Sequence, residues 1–143
     1  MKALFDTSVL VSALVKSHPQ HARAYPWYLQ ARRGELGMVV AAHGLAELYA
    51  TLTAYPSRPR ISPGVAMAII EKSISAIATI VALGGQDYMD AMRLVARIGR
   101  GGGSVYDALH VAAAEKAGAQ CILSFNRKHF EPIMDLATQL VVP

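Results

Sequence analysis

The sequence predicts an α/β fold, with a central, mostly parallel twisted sheet of four to five strands and helices on both of its faces. Two observations predict it: short apolar, β-branched runs alternate with helical patterns along the chain, and no tight hairpin signal joins any two of the runs. That alternation is the signature of parallel pairing through helical crossovers. Internal repeats and low-complexity segments are absent from the sequence.

The elements follow in order. "KALFD" (2 to 6) is an apolar run ending in an acid and reads as a strand, with "SVLVSALVK" (8 to 16) as the helix after it. Residues 19 to 33 pattern as a helix that Pro26 should break or kink, because proline lacks an N–H and crowds the preceding turn. "MVVAA" (38 to 42) is the second strand, and "HGLAELYATLTA" (43 to 54) a helix ended by Pro56 and the loop "PSRPRISP". Pro63, at a favoured first helical position, opens a helix to about Ser75, and "AIATIVAL" (76 to 83) is the third strand. After Gly84 and Gly85, apolar residues at 88, 89, 92, 95 and 98 make a helical stripe ended by Gly99. The run Gly101 to Gly103 leads into a helix from Ser104 to Ala117, stopped by Gly118. "QCILSF" (120 to 125) is the fourth strand, "RKHFEPIMD" a short helix or loop, and "TQLVV" (138 to 142) the last strand.

At 143 residues without a linker-like tract, the chain is expected to form one domain, 1–143. A hydrophobic fraction of 53% and a mean hydropathy of +0.30 predict a large core or a buried oligomer interface. The longest apolar stretch, Ile74 to Leu83, falls short of the about 20 residues that span a bilayer. Asp6 interrupts the first apolar run before any secretory pattern develops, so no membrane association and a cytoplasmic location are expected. The single cysteine, Cys121, excludes an internal disulfide framework and a Cys-rich zinc site. A net charge of +4, from 14 Lys and Arg against 10 Asp and Glu, favours an anionic partner such as nucleic acid.

Three acids stand where acids are expensive. In an open parallel sheet, ligands bind in the crevice at the carboxyl ends of the strands. Asp6 closes the first strand and Asn126 follows the fourth, which places both at that crevice. Glu47 is the only charged residue between Glu35 and Arg58, on a helix apolar nearly all round, and Asp107 sits inside "GGGSVYDALHVAAA". An ionised carboxylate buried without a partner costs several kcal/mol, so something should compensate each. Each acid also has a simple structural explanation. Asp6 is placed to N-cap the next helix, Ser104 and Asp107 have capping-box spacing, and Glu47 has arginines to pair with. Taken together at one crevice, the three repel one another and predict a bound divalent cation. Oxygen donors without a Cys or His cluster suit Mg²⁺ or Mn²⁺ and not zinc. On a basic protein, such a cation suggests phosphodiester cleavage, whereas the phosphate-cradling Gly-x4-Gly-Lys-Ser/Thr pattern is missing.

At these residues the sequence resembles the PIN-domain ribonucleases, in particular the VapC-type toxins of toxin–antitoxin pairs. The resemblance covers essentially the whole chain and rests on "LFDTSVLVSAL", "HGLAELYATLT", "GGGSVYDALHVAAA" and "ILSFNRKHF", in the family's order and spacing. It implies a PIN-like three-layer α/β/α fold and a metal-dependent endoribonuclease. It also implies metal ligation by Asp6, Glu47 and Asp107, a homodimer, and inhibition by an antitoxin protein. Asn126 matches the fourth acidic position, where many members have Asp, and carries no charge to hold a second ion. Thr7 and Ser8 match the hydroxyl residues that follow the first acid. Arg58, Arg60, Arg127 and Lys128 are candidates for RNA backbone contacts. His43 and His110 stand near the acids in sequence and read as structural histidines.

Two rival enzyme classes fit less well. A haloacid-dehalogenase-like phosphohydrolase would want a second Asp where Ser8 stands, and a receiver domain would want an acid pair at the first strand. A third rival is a PIN-like module that binds RNA or a partner with little or no catalysis. Asn126 is the feature in its favour.

Overall fold

The computed structural model describes residues 1–135 and 137–143. Five strands form one parallel sheet in the order β3-β2-β1-β4-β5: β1 (Lys2–Phe5), β2 (Gly37–Ala41), β3 (Thr79–Val81), β4 (Cys121–Leu123) and β5 (Gln139–Val141). Helices α1 (Thr7–Leu14), α2 (His21–Arg32), α3 (Ala42–Ala54) and α4 (Pro63–Ile70) precede β3. Helices α5 (Gly85–Arg97), α6 (Ser104–Ala117) and the short α7 (Arg127–Phe130) follow it.

Strand alternation divides the core in two. Ala3, Phe5, Met38, Val40, Cys121 and Leu123 pack with residues of α1 to α4, whereas Leu4, Val39, Ala41 and Ile122 pack with α5, α6 and α7. Successive side chains of a strand point to opposite faces, so a sheet covered on both sides needs apolar residues at every position. The result is the expected three-layer α/β/α arrangement.

The topology fixes where a site forms. From β1 the chain builds outward through β2 and β3, then returns to the other side of β1 for β4 and β5. The order therefore reverses between β1 and β4, and a crevice opens at their carboxyl ends. Phe5 pairs with Leu123, and the Asp6 N–H donates to the Leu123 carbonyl at 3.1 Å, which brings Asp6 beside Ser124.

Several local expectations change. Pro26 does not end α2, which runs through it from His21 to Arg32. Ala24, Tyr28 and Ala31 anchor that helix in the core, so packing outweighs one missing backbone bond. The third strand is Thr79–Val81 alone, because a π-helical turn (Glu71–Ser75) prolongs α4 and the Ala78 N–H still donates to the Ile74 carbonyl at 2.8 Å. The Ser62 side chain accepts from the Val65 N–H at the start of α4, beside Pro63 as the sequence suggested. Gly102 takes the left-handed φ of +57° in the turn into α6, and Gly118 takes +64° at its end. Both are conformations that side chains with a Cβ disfavour.

Candidate active site

Three elements deliver carboxylates to the crevice: the β1–α1 junction supplies Asp6, α3 supplies Glu47, and the first turns of α6 supply Asp107. All three line one cavity of about 460 Å³ together with Thr7, Ser8 and Asn126. A second cavity, lined by Arg100, Tyr106 and His129, shares Glu47 and Asp107 with the first. Glu47 and Asp107 thus stand where the two depressions meet, with Asp6 in the first.

Neither capping explanation holds. Asp6 occupies the N-cap position of α1 but its side chain caps nothing; instead its Oδ2 accepts from Ser8 Oγ at 2.8 Å and Ser124 Oγ at 2.6 Å. Ser124 is fully buried, and its Oγ in turn accepts from the Asn126 N–H at 3.0 Å. Two hydroxyls therefore fix the Asp6 carboxylate through Oδ2, while Oδ1 lies 3.8 Å from His110 Nε2. Ser104 caps nothing either, so Asp107 is not half of a capping box. Thr7 Oγ1 donates to Glu47 Oε2 at 2.9 Å, so of the two hydroxyl residues one orients Asp6 and the other Glu47.

Glu47 finds no arginine. It sits between two imidazoles, with His43 Nε2 3.2 Å from Oε1 and His110 Nε2 3.5 Å from Oε2. Burial alone pushes the Glu47 carboxyl up, but His110, His43 and the Thr7 hydroxyl together outweigh it and hold the group well below the usual carboxylate range. Asp107 goes the other way. Burial and then the Asp6 charge push its carboxyl up, Glu47 adds to this, and His129, with Nδ1 3.6 Å away, and His110 only partly offset it.

This donor set fits a hard divalent cation. Asp6, Glu47 and Asp107 line one cavity, and Asp107 is raised by burial and then by its acidic neighbours, a repulsion that a shared cation would relieve. The Asn126 amide lines the same cavity and adds an uncharged oxygen.

The basic candidates are dispersed. Arg58 and Arg60 line a separate depression with Pro56, Ser57 and Pro59 beyond the end of α3. Arg127 pairs with Glu131 at 3.0 Å on the surface, and the Lys128 carbonyl accepts from Arg100 Nη1 at 3.4 Å. Arg100, Tyr106 and His129, none of them among the sequence candidates, line the cavity that Glu47 and Asp107 share. The expectation of a site without a His cluster also fails, because the fold brings His43 and His110 together with Glu47. The histidines were visible in sequence only as isolated residues on two helices. Ser124 had one signal, a polar residue at the end of an otherwise apolar strand.

Comparison with known proteins agrees with this fold. The family model of the PIN domain matches residues 3–133. Ribonuclease VapC27 of Mycobacterium tuberculosis (strain ATCC 25618 / H37Rv) is 31% identical over 115 residues, covering 80% of this chain and 78% of the relative. Among solved structures, Mycobacterium tuberculosis VapC20, a sarcin-ricin loop cleaving toxin, superposes with a TM-score of 0.66 at 20% identity, covering 84% of this chain and 86% of its own. VapBC2 from Rickettsia felis, bound to a DNA fragment from its promoter, gives 0.67 at 17% identity, covering 100% and 99%. FitAcB from Neisseria gonorrhoeae gives 0.69 at 15% identity, covering 97% and 96%. The match over nearly the whole chain, together with the VapC relative, places this protein in the PIN domain family, among the VapC ribonucleases.

Proposed function

We propose that the protein is a metal-dependent endoribonuclease, the toxin of a type II toxin–antitoxin pair, using Mg²⁺ or Mn²⁺. The observation that carries this reading is the convergence of Asp6, Glu47 and Asp107, from separate elements, on one cavity at the carboxyl ends of β1 and β4. Asp6, Glu47 and Asp107 would hold the ion, and Asn126 would complete the cavity wall as an uncharged oxygen donor. When bound, such an ion polarises a phosphodiester and activates water beside it. The chain's own contribution is positional: Ser8 and Ser124 orient Asp6, and Thr7 orients Glu47. The adjoining cavity offers Arg100 as a phosphate contact and Tyr106 as a face on which a base can stack. Arg127 and Lys128 follow Asn126 on α7 and are the basic candidates near the crevice, whereas Arg58 and Arg60 suit a distal stretch of backbone. A homodimer, an antitoxin protein and a cytoplasmic location belong to the same reading. No helix among the described residues is long and apolar enough to cross a membrane.

The test is cleavage of a mixed RNA pool by the purified protein in Mg²⁺, in Mn²⁺ and in EDTA. Cutting with either ion and none in EDTA is expected. RNA binding without cutting under any ion would overturn the nuclease and favour the non-catalytic binding module, the reading that Asn126 supports.

Ser124→Ala gives a finer test. It removes the 2.6 Å hydrogen bond to Asp6 without altering a charge. Groups that orient a ligand in this way are worth about 10–100-fold in metal affinity. The Mg²⁺ concentration for half-maximal cleavage should rise by at least about 10-fold, with far-UV circular dichroism unchanged. An unshifted Mg²⁺ dependence would mean that Ser8 alone positions Asp6.

A further inference from the structure

We infer that His43, Glu47 and His110 form a transition-metal site of the Zn²⁺ class, distinct in donor chemistry from the carboxylate site and sharing Glu47 with it. His43 and Glu47 stand one turn apart on α3, and His110 reaches them from α6. One donor atom from each lies within 4.8 Å of the others. The His43 Nε2 to Glu47 Oε1 and His110 Nε2 to Glu47 Oε2 separations are 3.2 and 3.5 Å. These run to the two different Glu47 oxygens, and a tetrahedral ion with bonds near 2.0–2.1 Å, which needs donors about 3.3 Å apart, would draw the three side chains slightly closer together.

The alignment of these contacts argues against ordinary hydrogen bonds. Despite the short distances, neither ring nitrogen of His43 or His110, nor Glu47 Oε1, has a hydrogen-bond partner. Donors that share an ion point at the ion rather than at one another, so short but misaligned contacts are what such a site requires. His110 is 1% exposed, and its ring nitrogens face the Glu47 and Asp6 carboxylates without an aligned hydrogen bond, a buried polar arrangement that ligation completes. The chain also makes room for it. Gly44 lies against the imidazole, where an added Cβ would come within 3.1 Å of His110 Cε1.

Chemistry then selects the ion. Imidazole nitrogens suit zinc, nickel and copper, whereas Mg²⁺ prefers oxygen throughout. Two histidines and one glutamate match a zinc site with three protein ligands, and Asp6 Oδ1, 3.8 Å from His110 Nε2, is placed as a fourth donor. The Nδ1 atoms of both rings lack the hydrogen-bonded support that usually stiffens such ligands, which lowers the expected affinity by about 10–100-fold relative to a supported site. Because Glu47, with Asp6 as fourth donor, serves both sets, occupancy here and Mg²⁺ binding at the carboxylates oppose one another, and the opposition is reciprocal.

The test is titration of Co²⁺, then Zn²⁺, into the metal-free full chain, followed by visible absorption. The wild type should bind one Co²⁺ with the intense bands of a four-coordinate nitrogen-containing site, lose them to stoichiometric Zn²⁺, and lose them to Mg²⁺ only at concentrations at least about 100-fold higher. Asp107→Asn should retain the bands, and His43→Gln should weaken Co²⁺ binding at least tenfold. Displacement by Mg²⁺ at concentrations as low as those of Zn²⁺ would overturn the inference without recourse to any variant. So would wild-type binding by a folded His43→Gln, or bands lost in Asp107→Asn, since either places the ion on the carboxylates. RNA cleavage is scored separately on the same preparation. Absent cleavage alongside a His43-dependent spectrum would remove the nuclease and leave this site standing.

Discussion

Asp107→Asn is expected to abolish RNA cleavage and, in the same protein, to raise the melting temperature in the absence of metal. Cleavage should fall by at least about 10²-fold, the scale on which one preorganised charge at a reaction centre acts. The stability effect has the opposite sign. Burial and the Asp6 charge raise the Asp107 carboxyl above its ordinary 3.8, so the fold favours the neutral form. For a group raised in this way, the stabilising contribution is fully present below 3.8 and is lost as the pH climbs through the raised value. At pH 7.5 the ionised Asp107 therefore works against folding, and a neutral amide of nearly the same shape removes that opposition. Differential scanning calorimetry in EDTA should show a rise of a few degrees, a common gain when active-site repulsion is relieved. The gap should narrow as the pH is lowered toward 3.8. Added Mg²⁺ should raise the melting temperature of the wild type, through binding to the native state alone, and leave the variant nearly unmoved. Equal melting in EDTA with a preserved Mg²⁺ response would show that Asp107 does not face a shared ion.

The acids were legible because they break a local rule. Asp6 ends an apolar strand, while Glu47 and Asp107 interrupt helices with almost no polar face, and in each case the solvation cost is visible without coordinates. The strands were legible from their apolar runs, although which residues face which layer became clear only once both faces were seen to be covered. The histidines were not legible. His43 and His110 acquire meaning from the crossing of α3 and α6, which brings their rings to 4.4 Å between centroids, and nothing local marks either one. Arg100 and His129 were hidden for the same reason. Arg100 sits on the short connection between α5 and α6 and His129 on the four-residue α7, and tertiary packing brings both beside Asp107 and Glu47. Pro26 erred in the other direction: a strong local rule was overridden by the burial of its helix.

Phe130→Ala should lower the melting temperature by roughly 10 °C or more and weaken cleavage even well below the new transition. The helix that carries Phe130 has four residues, too few to persist on helical propensity, so its position depends on an anchor. Phe130 is that anchor. It is fully buried in the same core cluster as Leu109, Val111, Ile122 and Ile133, and its ring stands 6.4 Å from that of His110. Truncating a buried Phe to Ala costs about 3–5 kcal/mol, a large part of the about 5–15 kcal/mol that holds a typical domain together. The functional loss has a separate origin. Asn126 precedes this helix and His129, 3.6 Å from Asp107, lies within it, so releasing the anchor loosens two walls of the cavities around the carboxylates. Phe130→Leu, which keeps most of the apolar volume, should recover most of the stability and the cleavage together. Thermal melts and RNA cleavage at a temperature where all three proteins are folded would check both effects. A melting temperature lowered by less than about 2 °C would mean that other contacts fix this helix, and full cleavage by a folded Phe130→Ala would mean that the site does not depend on its placement.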